Sequence, residues 1–102
     1  MDYLFLGTHG HVSAIDRDTG REVWRVSLPS TGYQIVSLIV DGERLFAASK
    51  GYLFCLDVGT GDILWKNSMP GLGHSHVYIA VQGVDTTGVG LLAQVQAQQN
   101  AN

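Results

Sequence analysis

The sequence predicts an all-β protein of short antiparallel strands, and three observations carry the prediction. Hydrophobic residues make up 45% of the 102 residues and charged residues 15%, against a usual charged share of about 25%. That balance argues against a disordered chain. Thirteen glycines and two prolines punctuate alternating or continuous apolar runs of Val, Ile, Leu, Tyr and Phe that are too short for helices. Finally, the chain matches itself at an offset of 41 residues, the signature of a repeat architecture.

The match is dense. Gly10-His-Val-Ser-Ala-Ile-Asp16-Arg-Asp-Thr19-Gly20-Arg-Glu-Val-Trp24 aligns with Gly51-Tyr-Leu-Phe-Cys-Leu-Asp57-Val-Gly-Thr60-Gly61-Asp-Ile-Leu-Trp65. It extends without a gap through Leu4-Phe5 and Leu45-Phe46, Pro29 and Pro70, Gly32 and Gly73, to Gly42 and Gly83. The 42 pairs starting from residues 1–42 hold 13 identities, where unrelated sequence gives roughly three.

The elements follow in order. Tyr3–Thr8 opens the chain as a strand that matches the second strand of the full repeat. Asp16–Gly20 and Asp57–Gly61 read as hairpin turns in which the Gly supplies a positive φ. Asp41-Gly42 signals a two-residue hairpin. The complete period therefore holds four strands, at Ile35–Val40, Glu43–Ser49, Tyr52–Asp57 and Ile63–Ser68. One further first strand is expected at His76–Val81. Four short antiparallel strands every 41 residues suit a β-propeller blade, whose usual period is about 40–45 residues.

The Ala/Cys-Ile/Leu-Asp-x-x-Thr-Gly-x-x-x-Trp pattern resembles the tryptophan-docking repeat of the quinoprotein-like (PQQ-like) propellers, over residues 3–83. The resemblance implies that Trp24 and Trp65 lie between neighbouring blades, each near the next hairpin turn. It makes Asp16, Thr19, Gly20, Asp57, Thr60 and Gly61 the structural motif of the blade. The competing reading, two ordinary core tryptophans, predicts the same burial. In the quinoprotein dehydrogenases of this family the cofactor sits over a vicinal cysteine pair. Cys55 is the chain's single cysteine, so that pair is absent, and neither a cofactor nor enzymatic activity is expected.

The strand count is three, plus four, plus one, which makes two blades of four strands. Propellers usually need about four to eight blades to close, and open apolar edges recruit another chain. The expectation is a homotrimer or homotetramer that closes a six- or eight-bladed ring head to tail. The inter-subunit strands would then contain Tyr3, Phe5 and Gly7 on one side and His76, Tyr78 and Ala80 on the other. A fragment, or pairing with another propeller protein, is the alternative.

Residues 84–102 read as an Ala/Gln-rich tail, either a short helix that plugs the channel or covers a groove between subunits, or a frayed end. A net charge of −3 with six Lys and Arg argues against a nucleic-acid surface. No apolar run approaches the roughly 18 residues of a membrane helix. Met1 leads almost directly into strand-like sequence with no visible secretory signal, so a cytoplasmic location is expected. A single cysteine fits a reducing compartment.

Candidate chemistry is sparse. His9/His11 and His74/His76 are His-x-His pairs, and in an extended strand that spacing puts both rings on one face. Brought together across a subunit seam, they could bind zinc, copper or nickel, or form a pH-sensitive clasp; the plain alternative is a turn or interface role. The acidic pairs Asp16/Asp18 and Asp57/Asp62 recur with the turns and read as acceptors for turn amides. Cys55 aligns with Ala14 and reads as a small buried hydrophobe. Tyr33, Gln34 and Tyr52 are candidates to line the channel face. The expected function is a non-catalytic, self-assembling scaffold or protein-interaction platform. The runner-up is a small-ligand binder of the carbohydrate type.

Overall fold

A computed structural model describes residues 2–75 and 77–83. Seven strands follow one another as β1 (Tyr3–Thr8), β2 (His11–Asp16), β3 (Glu22–Ser27), β4 (Ser37–Asp41), β5 (Arg44–Ser49), β6 (Tyr52–Asp57) and β7 (Ile63–Asn67). They build two antiparallel sheets, β1-β2-β3 (sheet A) and β4-β5-β6-β7 (sheet B). The described residues contain no helix.

The repeat is reproduced at the level of single hydrogen bonds. Asp16 Oδ1 accepts from the amides of Asp18 (2.8 Å) and Thr19 (3.1 Å). Asp57 Oδ1 accepts from those of Gly59 (2.8 Å) and Thr60 (3.2 Å). Gly20 and Gly61 close the two turns with φ of 76° and 81°, each donating its N–H to the Asp carbonyl at 2.9 Å. A bulge interrupts β2–β3 between Ala14 and Ile15, and β6–β7 between Cys55 and Leu56. These are equivalent positions. In each sheet the bulge leaves the residue before the tryptophan out of the ladder and sets Trp24 opposite Ala14, Trp65 opposite Cys55.

The first strand of the full repeat is shorter than Ile35–Val40. The Gln34 carbonyl accepts from the Gly10 amide and the Ile35 carbonyl from the Ser49 hydroxyl. These groups tie the loop to the strand ends, and the ladder begins only at Ser37. Asp41 pairs with Arg44, which leaves Gly42 (φ 61°) and Glu43 as a two-residue hairpin loop. The loop after β3 also presses on the β1–β2 turn. A Cβ on Gly10 would collide with the Gly32 carbonyl, and one on Gly51 with that of Gly73. This repeated contact requires glycine in both turns.

The two sheets pack face to face. Val12, Leu45, Phe54 and Leu56 are fully buried between them, with Leu28 and Val36 alongside. Each such side chain removes apolar surface worth about 1.5–3 kcal/mol from water. Gly7 permits the close approach: a Cβ there would stand 2.9 Å from Val36 Cβ and 3.1 Å from Leu38 Cγ. The eighth strand, expected at His76–Val81, has no place in either sheet. Residues 77–81 belong to no strand, and His76 lies outside the described residues. The tail expected at 84–102 also lies outside them.

Candidate interaction faces

Alternation along the strands gives each sheet one face toward the other sheet and one face away from it. Tyr3, Phe5, Gly7, Val12, Ala14 and Trp24 share the inner face of sheet A. Phe5 lies 6.0 Å from the Trp24 ring, and Tyr3 stands edge-on to Phe5 at 6.2 Å. Phe5 and the bare Cα of Gly7 thus serve the packing between sheets within one chain, with Tyr3 standing against Phe5. The backbone of β1 remains the edge of its sheet.

Trp24 reaches across to the other sheet. Its indole N–H donates to the Val58 carbonyl at 3.0 Å, and a Cβ on Gly61 would approach the indole Cε3 to 2.5 Å. The ring therefore lies flush on the Asp57–Gly61 turn. Trp65 occupies the equivalent position in sheet B, with Phe46 tilted against it at 6.1 Å. Trp65 is 45% exposed in the single chain, because it lies on the face of sheet B that points away from sheet A; the place between blades expected for it has no second blade on that side among the described residues. Likewise, the Cβ position of Gly20 has nothing within 4 Å, whereas Gly61 is buried.

The outer face of sheet A carries Leu4 and Leu6, both 51% exposed. It also holds a polar cluster that the sequence reading missed. The Ser13 hydroxyl donates to Glu22 Oε2 at 2.6 Å, and Arg25 Nε donates to the same oxygen at 3.0 Å. The Ser13 hydrogen bond, then the Arg25 guanidinium, hold the Glu22 carboxyl below its ordinary value. These residues are close because β2 and β3 pair with a bulge between them, a register that no local motif announces. The 41-residue alignment does point to the apolar part, since it sets exposed Leu4 against fully buried Leu45.

His9 and His11 do not form a strand face, and of the second pair only His74 is among the described residues. His9 is in the β1–β2 turn with φ 50°, and its carbonyl accepts from His11 Nδ1 at 2.7 Å. His9 stands edge-on to Tyr33, and His74 stacks on Tyr52 at 6.1 Å. Among the described residues, no group of three or more His, Cys, Asp or Glu side chains could hold a metal. Cys55 is buried, and desolvation pushes its thiol above the ordinary value despite Arg44 nearby. Tyr78 is exposed, as is Ala80. A cleft of about 410 Å³ opens beside β1, lined by Tyr3, Phe5, Arg17, Val40 and Val58, among others.

Comparison with known proteins agrees with this geometry. A family model described as outer membrane protein assembly factor BamB matches residues 8–96. Among solved structures, the chain is similar to BamB from Moraxella catarrhalis, with 27% identity and a TM-score of 0.55. That match covers 64% of this chain and 20% of the Moraxella chain, so the matched segment spans about a fifth of that protein's length. No curated protein matches the sequence.

Proposed function

The chain belongs to the BamB family of PQQ-like β-propellers, and on that premise we propose that it is a non-catalytic propeller module that assembles with copies of itself into a protein-interaction scaffold. The observation that carries this reading is the set of large apolar side chains turned outward from both sheets. Sheet A turns Leu4 and Leu6 outward, sheet B turns Trp65 outward, and β1 ends its sheet as an edge strand. Exposed apolar surface of this kind marks an interaction site. The solved relative carries the name of an assembly factor, which agrees with a scaffold whose work is contact between proteins.

The chemistry of the site favours binding over catalysis. The carboxylates of Asp16 and Asp57 are committed to turn amides, and the only thiol is buried. In the assembled form, residues 77–81 of one copy pair with β1 of the next and complete a composite blade, so that three copies make six blades and four make eight. A ring of identical subunits repeats each weak surface around its axis and gains avidity from the repetition. Native mass spectrometry of the purified chain tests the reading. A closed species of three or four chains is expected, and a folded single chain at micromolar concentration contradicts it. The exposed Trp65 favours a second reading, a carbohydrate subsite, because aromatic faces stack on sugars; a glycan-binding screen on the purified protein tests it.

A further inference from the structure

The strands alternate in direction, so their connections gather at two ends, and the two ends differ in charge. One end is built from the turns His9-Gly10 and Lys50-Gly51, the loop 28–36 and the segment 68–75. The Gly10 amide donates to the Gln34 carbonyl, and the Ser49 hydroxyl to the Ile35 carbonyl, which ties the loop to both turns. Of the nine Asp and Glu in the chain, Asp85 lies outside the described residues. The other eight all fall at the opposite end, in its turns or in the strand residues beside them. We propose that the carboxylate-free end is the docking surface for an acidic protein segment, one that offers Asp or Glu side chains together with apolar ones. This inference rests on the protein-interaction reading above, and names the end that is used and the chemistry of its partner.

The charge at this end has one sign. Lys50 and Lys66 are both exposed, and among the described residues no carboxylate stands beside them. The opposite end is mixed, because Arg17, Arg21 and Arg44 lie among its acidic residues. Each sheet adds an aromatic–imidazole pair to the lysines. His9 stands edge-on to Tyr33 at 5.8 Å. Tyr52 stacks on His74 at 6.1 Å, with Lys66 Nζ 5.9 Å from its ring centroid. Tyr33 and His74 are equivalent at the 41-residue offset, so both blades set a loop ring against a hairpin ring. Tyr33 is 80% and Leu72 73% exposed. Exposed apolar groups among cations fit a partner that brings carboxylates and apolar side chains together.

The backbone is strained at the same end. Among the described residues the non-glycine positions with positive φ are His9, Ser30, Lys50 and Met69, between 48° and 68°, and all four are here. Two-residue hairpin loops of this left-handed kind ordinarily carry Asn-Gly or Asp-Gly. Their first place holds His9 in sheet A and Lys50 in sheet B. Such conformations outside glycine are uncommon and gather where a surface is used. A bare polyanion is the poorer occupant, since it leaves Tyr33 and Leu72 without apolar contacts and meets a chain of net charge −3. A second copy stacked end on end would set arginines against the lysines.

Fluorescence anisotropy of the full chain with a labelled synthetic peptide of alternating Glu and Leu tests the surface. The peptide is expected to bind, and to bind less tightly as salt rises. Affinity is expected to fall at least about tenfold when Gln replaces Glu in the peptide, in the pair Lys50→Glu with Lys66→Glu, and in the pair Tyr33→Ala with Leu72→Ala. Glu43→Lys with Asp62→Lys, at the opposite end, is expected to leave binding unchanged. No binding by wild type, or full binding by either of the first two pairs, overturns the proposal. A labelled oligodeoxythymidine held as tightly as the peptide overturns the choice of a protein segment. Native mass spectrometry of the same samples keeps this result apart from self-assembly. The Lys50/Lys66 variant is expected to retain the wild-type mass; loss of the assembly would show that a second copy occupies this end. A wild type that is a single chain yet binds the peptide overturns self-assembly alone. Far-UV circular dichroism verifies that each variant keeps its sheets.

Discussion

Trp24 and Trp65 terminate the same motif, sit beyond the same bulge and face the same kind of residue across the ladder. One lies on a neighbouring turn with its N–H satisfied at 3.0 Å; the other is 45% exposed. Their glycines differ in the same way, with Gly61 under an indole and Gly20 under nothing. Local sequence therefore fixes where the ring is presented, and the neighbouring blade fixes whether it is buried. This is the energetics of repeat folds, in which stability divides into intrinsic terms and nearest-neighbour interfaces.

The largest way to break this comparison is to remove the rings in turn. Trp24→Ala should cost about 3 kcal/mol of unfolding free energy, in the range of large core truncations, while Trp65→Ala in the dilute single chain should cost less than about 1 kcal/mol, as surface changes do. Urea denaturation of both variants measures the difference. Next come the glycines. Gly61→Ala adds a collision with the Trp24 ring to the strain of a positive φ, and should cost about 2 kcal/mol or more. Gly20→Ala adds only the strain, about 1 kcal/mol. Equal costs for the pair would show that the indole does not rest on the turn.

A smaller effect comes from the turn carboxylate. The amides of Asp18, and then Thr19, hold the Asp16 carboxyl below its ordinary value of 3.8. A depressed folded pKa adds stability that is complete above the unfolded value and is lost as pH falls through the folded one. The melting-temperature gap between wild type and Asp16→Asn should therefore be present at neutral pH and shrink below about 3.8. A gap that widens with acid would contradict the hydrogen-bonding assignment. The smallest effect is at Cys55, whose counterpart in the other sheet is Ala14. Cys55→Ala should change stability by no more than about 1 kcal/mol, and the native thiol should react with disulfide reagents only as fast as the chain opens.

Much of this molecule was legible in its residues. Tyr3–Thr8 and Tyr52–Asp57 have the expected bounds, because short continuous apolar runs bounded by turn residues leave little choice. The Asp-x-x-Thr-Gly turns were legible because each residue type has one task in them. The start of β4 was not, because the carbonyls of Gln34 and Ile35 bond to parts of the chain far away in sequence. The Ser13–Glu22–Arg25 cluster was hidden by the bulge, which decides who faces whom across β2 and β3. His9 sits in a turn, and its left-handed conformation, which cannot be seen in a pattern of spacing, takes it out of the strand that holds His11.

The account reduces to the claim that Trp24 serves a contact within the chain and Trp65, exposed in the single chain, a contact between copies. Fluorine NMR of protein labelled with 5-fluorotryptophan tests it most directly, with Trp65→Phe assigning the two resonances. On dilution from the assembled to the single chain, the Trp65 resonance should move while that of Trp24 stays. An assembly that dissociates with the Trp65 resonance unmoved, or with both resonances moving together, would contradict it.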